Sequence, residues 1–169
     1  KELEGRKFNG IWPHQVYAGY KTVTQGSTRK NREHEALPQY GPVFEDILTV
    51  LVEQWLPPLR SLGFADVSGS MMTKVSEKSQ VTLREVALVL TACTAVTSSI
   101  AASFSDNGYI DKIQGYAGPL DLVTRSPQLT RGMGSTQVYG AVMDTLRYLQ
   151  QERIAPFKCL YFFSDMQFH

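Results

Sequence analysis

A short segment that ends in an acid followed by two serines is the feature that most constrains the fold of this chain. Residues 59–65 predict a short central strand, and Asp66, Ser68 and Ser70 follow it at alternate positions. The arrangement places one carboxylate and two hydroxyl oxygens on a single turn at the strand end. Oxygen ligands without a neighbouring His or Cys suit Mg²⁺, with Mn²⁺ or Ca²⁺ as alternatives, and do not suit zinc or copper. The motif therefore predicts a divalent-cation site.

Two later stretches strengthen this prediction. Residues 157–163 form a nearly continuous apolar run, typical of a buried parallel strand, and Asp165 follows it. The carboxyl ends of parallel strands meet at one edge of a sheet, so Asp165 is expected to lie on the same edge as Asp66. Thr136 follows a Gly-rich turn and directly precedes a helical pattern of apolar residues. Its hydroxyl is therefore free to face the cation instead of bonding within a helix.

Taken in order, these residues resemble the metal-ion-dependent adhesion site of the von Willebrand factor A domain, whose motif is Asp-x-Ser-x-Ser, then Thr, then Asp. The match covers residues 59–168 and fills every ligand position of the motif, namely Asp66, Ser68, Ser70, Thr136 and Asp165. The resemblance implies that Asp66 and both serines bind the ion, Thr136 binds directly or through water, and Asp165 acts without direct contact. It further implies that an Asp or Glu of a partner protein completes the coordination.

A narrower resemblance extends to segments outside the motif. Asp66–Met71 and Phe163–Phe168, with Trp12–His14 and Glu53–Trp55 upstream, look like a eukaryotic and viral family related to the A domain of the Ro autoantigen. The resemblance implies a fold rather than an activity. An RNA-associated or structural scaffold is therefore an alternative function, although RNA binding in Ro proteins resides largely in a helical-repeat ring.

The remaining patterns predict the organisation of the chain. Residues 1–41 show no sustained period and predict an extended N-terminal arm. Residues 42–58 predict a packing helix, because apolar residues share one helical face and Pro57-Pro58 ends the segment. Residues 59–169 then predict a von Willebrand A-like domain. The whole is expected to be α/β, with a Rossmann-like, doubly wound and mostly parallel sheet.

Within that domain, Thr82 and Glu85 form a capping-box pattern that predicts a long helix to about Ser103. This helix is almost free of charge, so it is expected to lie on the sheet with a further layer on its far side. Residues 109–116 and 120–124 predict two short strands, the second antiparallel at an edge. The helix that begins just after Thr136 leads into the last strand, at residues 157–163.

The sequence departs from the family pattern at its end. Von Willebrand A domains usually carry two more strands, with helices, after the strand that bears the second Asp, whereas this sequence ends at His169. The segment Leu160–Phe163 would otherwise form an exposed apolar edge, which natural sheets avoid. Further sequence or another chain is expected to cover that edge.

Composition narrows the range of partners and compartments. The formal net charge of +1 gives no reason to expect strong binding to nucleic acid or to an anionic membrane. The sequence shows neither a membrane-spanning apolar run nor a signal-peptide pattern. Cys93 and Cys159 lie in apolar segments, which favours buried thiols and an intracellular, cytoplasmic location. The sequence alone leaves a disulfide between them open.

The rival to a binding module is an enzyme. Magnesium with acids on a Rossmann-like edge could serve phosphoryl transfer, but no Gly-Lys-Ser/Thr phosphate loop is present and position 68 is Ser rather than a second acid. No Gly-x-Ser-x-Gly elbow points to a hydrolase either. A non-enzymatic role is therefore expected. In a purely structural alternative, Asp66 caps the following turn and the serines satisfy loop amides.

Overall fold

The computed structural model describes residues 10–29, 32–57, 59–132 and 134–165. Within them, the helices are α1 (Pro13–Gln25), α2 (Gly41–Trp55), α3 (Leu83–Ser98), α4 (Pro119–Arg125) and α5 (Val138–Gln151). The strands are β1 (Ser27–Arg29), β2 (Arg32–His34), β3 (Ser61–Asp66), β4 (Ile100–Phe104), β5 (Gly108–Lys112) and β6 (Cys159–Phe163). Short 3₁₀ turns cover Pro38–Tyr40, Gly69–Met72 and Ile113–Gly115.

The main sheet is four-stranded, with the order β5-β4-β3-β6. Strand β3 is parallel to both of its neighbours, β4 and β6, whereas β5 runs antiparallel to β4. In this sheet β3 comes first along the chain, then β4, β5 and β6, so the spatial order is third, second, first, fourth. Doubly wound dinucleotide-binding folds begin with the same order. The predicted α/β class and mostly parallel sheet are confirmed, and the topology is compatible with a Rossmann-like fold. Strands β1 and β2 form a separate antiparallel pair.

Helices cover both faces of this sheet, because successive strand residues point to opposite sides. On one face, Leu62 and Phe64 of β3 belong to a buried cluster with Ala141 and Leu149 of α5. On the other face, Ala65 belongs to a larger cluster that includes buried residues of α1, α2, α3 and α4. The core therefore consists of two apolar layers separated by the sheet.

Helix α3 lies directly on β3 and is covered in turn by other helices. The backbone N–H of Gly63 donates a 2.8 Å hydrogen bond to the hydroxyl of Thr94. Leu88, Val89 and Thr91 are all buried, although they point in different directions around the helix. The expectation that this charge-poor helix is covered on its far side is confirmed, since α1, α2 and α4 share its apolar cluster.

The expected extended arm is wrong for residues 13–25, which form α1. Pro13 occupies the first turn, and the side chain of Gln15 accepts a 2.8 Å hydrogen bond from the Trp12 N–H. Gly19 suggests a helix break in the sequence, yet it lies within α1. A Cβ at this position would lie 3.1 Å from the ring of Phe44 in α2. It therefore allows two helices to approach closely. Residues 1–9 of the predicted arm lie outside the described residues.

The predicted long helix is correct at its start and wrong at its end. Thr82 and Glu85 form the capping box, with Thr82 N–H donating to the Glu85 carboxylate at 2.9 Å. Helix α3 stops at Ser98, Ser99 adopts the left-handed conformation at φ 67°, and β4 follows. Apolar spacing cannot separate a helix from a fully buried strand that continues the same run, so the two elements were merged in the prediction.

Of the two short strands predicted at residues 109–116 and 120–124, the first is found with shorter bounds and the second is wrong. Residues 108–112 form β5, which is the antiparallel edge strand, and residues 119–125 form α4 instead of a strand. The first turn of α4 is capped from α2, because the Glu45 carboxylate accepts the N–H groups of Leu120 at 3.1 Å and Asp121 at 2.6 Å. Burial raises the pKa of Glu45, and these two hydrogen bonds oppose that rise.

The helix predicted from residue 42 is α2, the helix predicted after Thr136 is α5, and the last predicted strand is β6. All three are confirmed, with boundaries shifted by a few residues. Cys93 and Cys159 are both free thiols, and burial raises the pKa of Cys93. Among the described residues, no helix combines the length and apolar character needed to cross a membrane.

Replacing Gly63 with alanine is expected to lower the free energy of unfolding by about 1–3 kcal/mol. An added Cβ would lie 2.9 Å from the Cα of Thr91 and 2.7 Å from the hydroxyl of Thr94, so α3 itself would have to move away from β3. Urea denaturation measures the loss. Gly140→Ala is the control, since nothing lies within 4 Å of its Cβ position in α5, and it should raise stability by up to about 1 kcal/mol. Equal effects of the two changes would contradict the close packing.

A half-buried ion pair joins α1 to α3. Glu85 accepts hydrogen bonds from Lys21 at 2.7 Å and from the Tyr17 hydroxyl at 3.0 Å. Burial raises the pKa of Glu85, but the hydrogen bonds from Lys21 and Thr82 outweigh it, so the net pKa is lowered from 4.5. A lowered carboxyl pKa means that this stabilisation is present above pH 4.5 and is lost as pH falls through the folded-state value.

Glu85→Gln is therefore expected to lower the free energy of unfolding by about 2 kcal/mol at pH 7. The difference from the wild type should shrink as the pH falls below 4.5, where the wild-type carboxylate also becomes neutral. Urea denaturation over a pH series measures both effects. Glu152→Gln is the control, because its pair with Lys112 is about half exposed on both sides and should contribute nothing measurable. A pH-independent loss would contradict the charge-based account.

Candidate cation site at the carboxyl edge of the sheet

The carboxyl ends of three parallel strands meet at one edge of the main sheet. Asp66 is the last residue of β3 and pairs in register with Phe104, the last residue of β4. Ala65 pairs with Phe163 at the end of β6, so Ser164 and Asp165 also follow at this edge. The predicted convergence of Asp66 and Asp165 on one edge is therefore seen in the structure.

This edge contains a topological switch point. The chain leaves β3 for β4 on one side, whereas β6 joins β3 on the other. Helix α3, which follows β3, covers one face, and α5, which precedes β6, covers the opposite face. A crevice at this point is lined by Met71 after β3 and by Ser164 and Asp165 after β6. Open α/β sheets commonly bind their ligands at such a switch point.

Asp66 lies at the centre of this edge with its side chain fixed from two sides. The residue is fully buried. Its Oδ1 accepts the backbone N–H of Ser68 at 2.9 Å, and its Oδ2 accepts the hydroxyl of Ser164 at 2.7 Å. The first bond turns the chain sharply after β3, as Asp side chains commonly do. The second connects the two loops across the switch point.

The two serines of the motif lie next to each other after this turn. Ser68 is buried and Ser70 is half-buried, and their hydroxyl oxygens are 3.4 Å apart. Ser68 has extended backbone angles and directly precedes the 3₁₀ turn that contains Ser70. A carboxylate and two hydroxyls are thus gathered on a single turn, as the alternate spacing predicts.

Thr136 reaches the same edge on the side of β4. The residue is 4% exposed and lies just before α5. The next residue, Gln137, donates its N–H to the carbonyl of Ser105 at 2.7 Å, which ties this loop to the residue after β4. This backbone contact positions the buried Thr136 beside the end of the neighbouring strand.

Asp165 is half-buried at the β6 side of the crevice. It lines a cavity of about 260 Å³ together with Phe162 and Phe163 of β6 and Leu83 and Val86 of α3. The walls of this cavity are mainly apolar, so the candidate site lies beside a small hydrophobic recess. Asp165 is thus placed at the border between the polar edge and that recess.

Sequence reasoning missed two polar residues at this edge, Ser105 and Asp106. The buried Ser105 hydroxyl donates to Asp106 Oδ1 at 2.7 Å, and this hydrogen bond lowers the pKa of the exposed Asp106. Gly132 and Gly134 permit the close approach of these residues: a Cβ on Gly134 would lie 2.9 Å from Asp106 Cγ. The turn-like composition of residues 105–108 was a usable signal, but the overlong predicted helix obscured the strand before it.

The donor set fits a hard divalent cation. Asp66, Ser68 and Ser70 offer hard oxygen donors here, and among the described residues no group of three or more His, Cys, Asp and Glu side chains comes together. In the same part of the chain, Asp66 takes part in none of the ion pairs and accepts hydrogen bonds only from neutral donors. Buried carboxylates in proteins are usually paired with a cation or coordinate a metal ion, and these neutral donors supply no counter-charge.

Comparison with known proteins adds no family assignment. No protein-family model matches the chain, and no curated protein matches its sequence. The candidate site therefore rests on the motif, the switch-point topology and the local geometry alone.

Proposed function

We propose that this chain is a von Willebrand A-type domain that binds a divalent cation, Mg²⁺ with Mn²⁺ or Ca²⁺ as alternatives, and docks an acidic side chain of a partner protein. The observation that carries the proposal is the position of Asp66. It ends the central parallel strand at the switch point, fully buried, with Ser68 and Ser70 on the same turn. This is the place where a doubly wound fold presents ligand-binding loops.

The chain's own residues have distinct roles in this proposal. Asp66 supplies the negative charge, and Ser68 N–H and Ser164 orient its carboxylate. Ser68 and Ser70 contribute neutral oxygens, and Thr136 contributes a third hydroxyl from the β4 side. Asp165 adds a second negative charge at the rim of the crevice without being a direct ligand.

A bound cation would supply residual positive charge, because its ligands are mostly neutral hydroxyls. That charge favours a carboxylate from outside the chain, which makes a charge-assisted contact at a coordination position left to water. The site chemistry thus supports recognition of an Asp or Glu side chain. The sequence contains no Gly-Lys-Ser/Thr phosphate-binding loop that would favour phosphoryl transfer instead.

A structural scaffold is the second candidate, and one observation favours it. The hydrogen bonds that Asp66 accepts from Ser68 and Ser164 would hold the loops after β3 and β6 together without any cation. In that case the same geometry is retained only to join two strand ends. Cation binding distinguishes the two candidates.

The face of β6 supports a further part of the proposal, that additional polypeptide covers this end of the sheet. Leu160 is 48% exposed and Phe162 is 40% exposed, and β6 ends the strand order of the main sheet in the described residues. Exposed apolar edge strands pair readily with other chains. Amide hydrogen exchange in β6 should slow when the covering segment is present, and unchanged exchange would contradict the proposal.

The partner proposal is tested by selecting peptides from a random displayed library on the immobilised chain in Mg²⁺ and eluting them with EDTA. The eluted peptides should be enriched in Asp or Glu, and changing that acid to its amide should abolish binding. Asp66→Asn, which keeps the shape of the side chain, should yield no enrichment. Peptides that resist EDTA would contradict the proposal. Magnesium-dependent phosphatase turnover would favour an enzyme instead, and salt-sensitive retention of RNA would favour an RNA-associated scaffold.

A further inference from the structure

An open cavity of about 510 Å³ lies between α1, α3 and α4. Its polar lining includes Lys21 and Gln25 of α1, Arg84 and Glu85 of α3, Gln80 and Thr130, and its apolar lining includes Leu88. None of the candidate cation ligands is among the described residues that line it. The volume falls within the range of about 300–1,000 Å³ that is typical of small-molecule sites.

Arg84 is the unusual group in this cavity. Its guanidinium donates to the carbonyl of Thr130 and, at 3.6 Å, to the sulfur of Met72, and its Nε is buried without an acceptor. Within the described ranges, Arg84 forms no ion pair. The adjacent carboxylate, Glu85, is engaged by Lys21, Tyr17 and Thr82 instead. The Glu85 carboxylate is therefore paired with Lys21, and within the described ranges the charge of Arg84 has no paired carboxylate.

The position of the Arg84 guanidinium is energetically unfavourable when no ligand is bound. The guanidinium of Arg84 is partly buried, which lowers its pKa, and the nearby Glu85 carboxylate opposes this effect. It also lies in the first turn of α3, where the helix dipole disfavours cations. A carboxylate or phosphate oxygen pair would match the planar fork of a guanidinium and restore the missing counter-charge.

We infer that this cavity binds a small molecule that carries an oxyanion, either a carboxylate or a phosphate monoester, with Arg84 as its anchor. The Lys21–Glu85 ion pair also lines the cavity and is neutral as a pair, so Arg84 provides the net positive charge. The side-chain amides of Gln25 and Gln80 and the hydroxyl of Thr130 provide hydrogen-bonding groups for the polar remainder of the molecule, and Leu88 provides an apolar contact. The inference is independent of the proposed cation site.

The test is calorimetric titration of the full chain with inorganic phosphate and with succinate, at constant ionic strength and without added divalent cations. Saturable binding of at least one anion is expected. Arg84→Met should weaken it at least tenfold, since a hydrogen bond to a charged group is lost, and Arg84→Lys should give an intermediate affinity. The relative affinities for phosphate and succinate then show which oxyanion the cavity prefers.

Arg147→Met is the matched control, because Arg147 is exposed and paired with Asp144 on α5. It should bind both anions as the wild type does. Circular dichroism of each variant establishes that it is folded, and the lysine variant retains a charge if the methionine variant is unstable. No saturable binding by the wild type, or equal binding by wild type and Arg84→Met, would overturn the inference.

Discussion

Asp66→Ala is expected to abolish saturable binding of Mg²⁺ and Mn²⁺, with a loss in affinity of at least about a hundredfold. The change removes the buried carboxylate that provides the charge of the site and leaves only neutral hydroxyls at the end of β3. Hydroxyl groups alone do not compensate a divalent ion for its lost hydration. Isothermal titration calorimetry of the wild type and the variant measures the effect.

Asp144→Ala is a suitable control for this variant, since it removes the same charge from the exposed surface of α5. Its cation affinity should equal that of the wild type. Asp66→Ala also leaves Ser68 N–H and the Ser164 hydroxyl without their acceptor, so thermal unfolding must show that the variant is folded. Asp66→Asn retains an oxygen acceptor and provides a second test. Wild-type affinity in both variants would contradict the site, and a folded wild type that binds neither cation would leave the structural scaffold.

The second large effect is expected at Phe64, where alanine should lower the free energy of unfolding by about 3–5 kcal/mol. Phe64 is 1% exposed, and its ring stacks on that of Phe162 with centroids 4.8 Å apart. Removing it creates a cavity between β3 and α5 that the surrounding strands cannot close. Urea denaturation measures the loss, provided that the unfolding free energy depends on urea concentration equally in both proteins.

Phe162→Ala is the matched comparison for this core position. Phe162 belongs to the same aromatic cluster but is 40% exposed on β6, so its removal should cost less than about 2 kcal/mol. The difference between the two variants measures how far the β6 face is open to solvent. Equal losses would mean that a second copy of the chain covers this face in solution, since no other polypeptide is present in the experiment.

Elements with strong local signals were predictable from the sequence. Helix α2 has an apolar face, with a proline in its first turn and another just after its end. The start of α3 has a complete capping box, in which the side chains of Thr82 and Glu85 each accept the backbone N–H of the other residue. Strand β6 is a compact apolar run that ends in polar residues. Each of these signals involves residues a few positions apart, so the chain's local physics is sufficient to specify the element.

Elements that depend on distant contacts were mispredicted. Gly19 belongs to a helix because it admits the ring of Phe44, and α4 forms where its first N–H groups meet the carboxylate of Glu45. The boundary between α3 and β4 depends on Ser99 adopting a left-handed conformation within an unbroken apolar run. In each case the deciding partner or conformation has no local sequence signature.

The same division holds for the candidate site. The sequence by itself determined the order of oxygen-bearing side chains in Asp66–Ser70, because alternate positions after a strand necessarily fall on one turn. Only the tertiary structure decided that Ser164 bonds to Asp66 and that Ser105 anchors the loop of Thr136. Those contacts depend on the strand order β4-β3-β6, which is set by the packing of helices on both faces of the sheet, a property of the whole fold and not of any one segment.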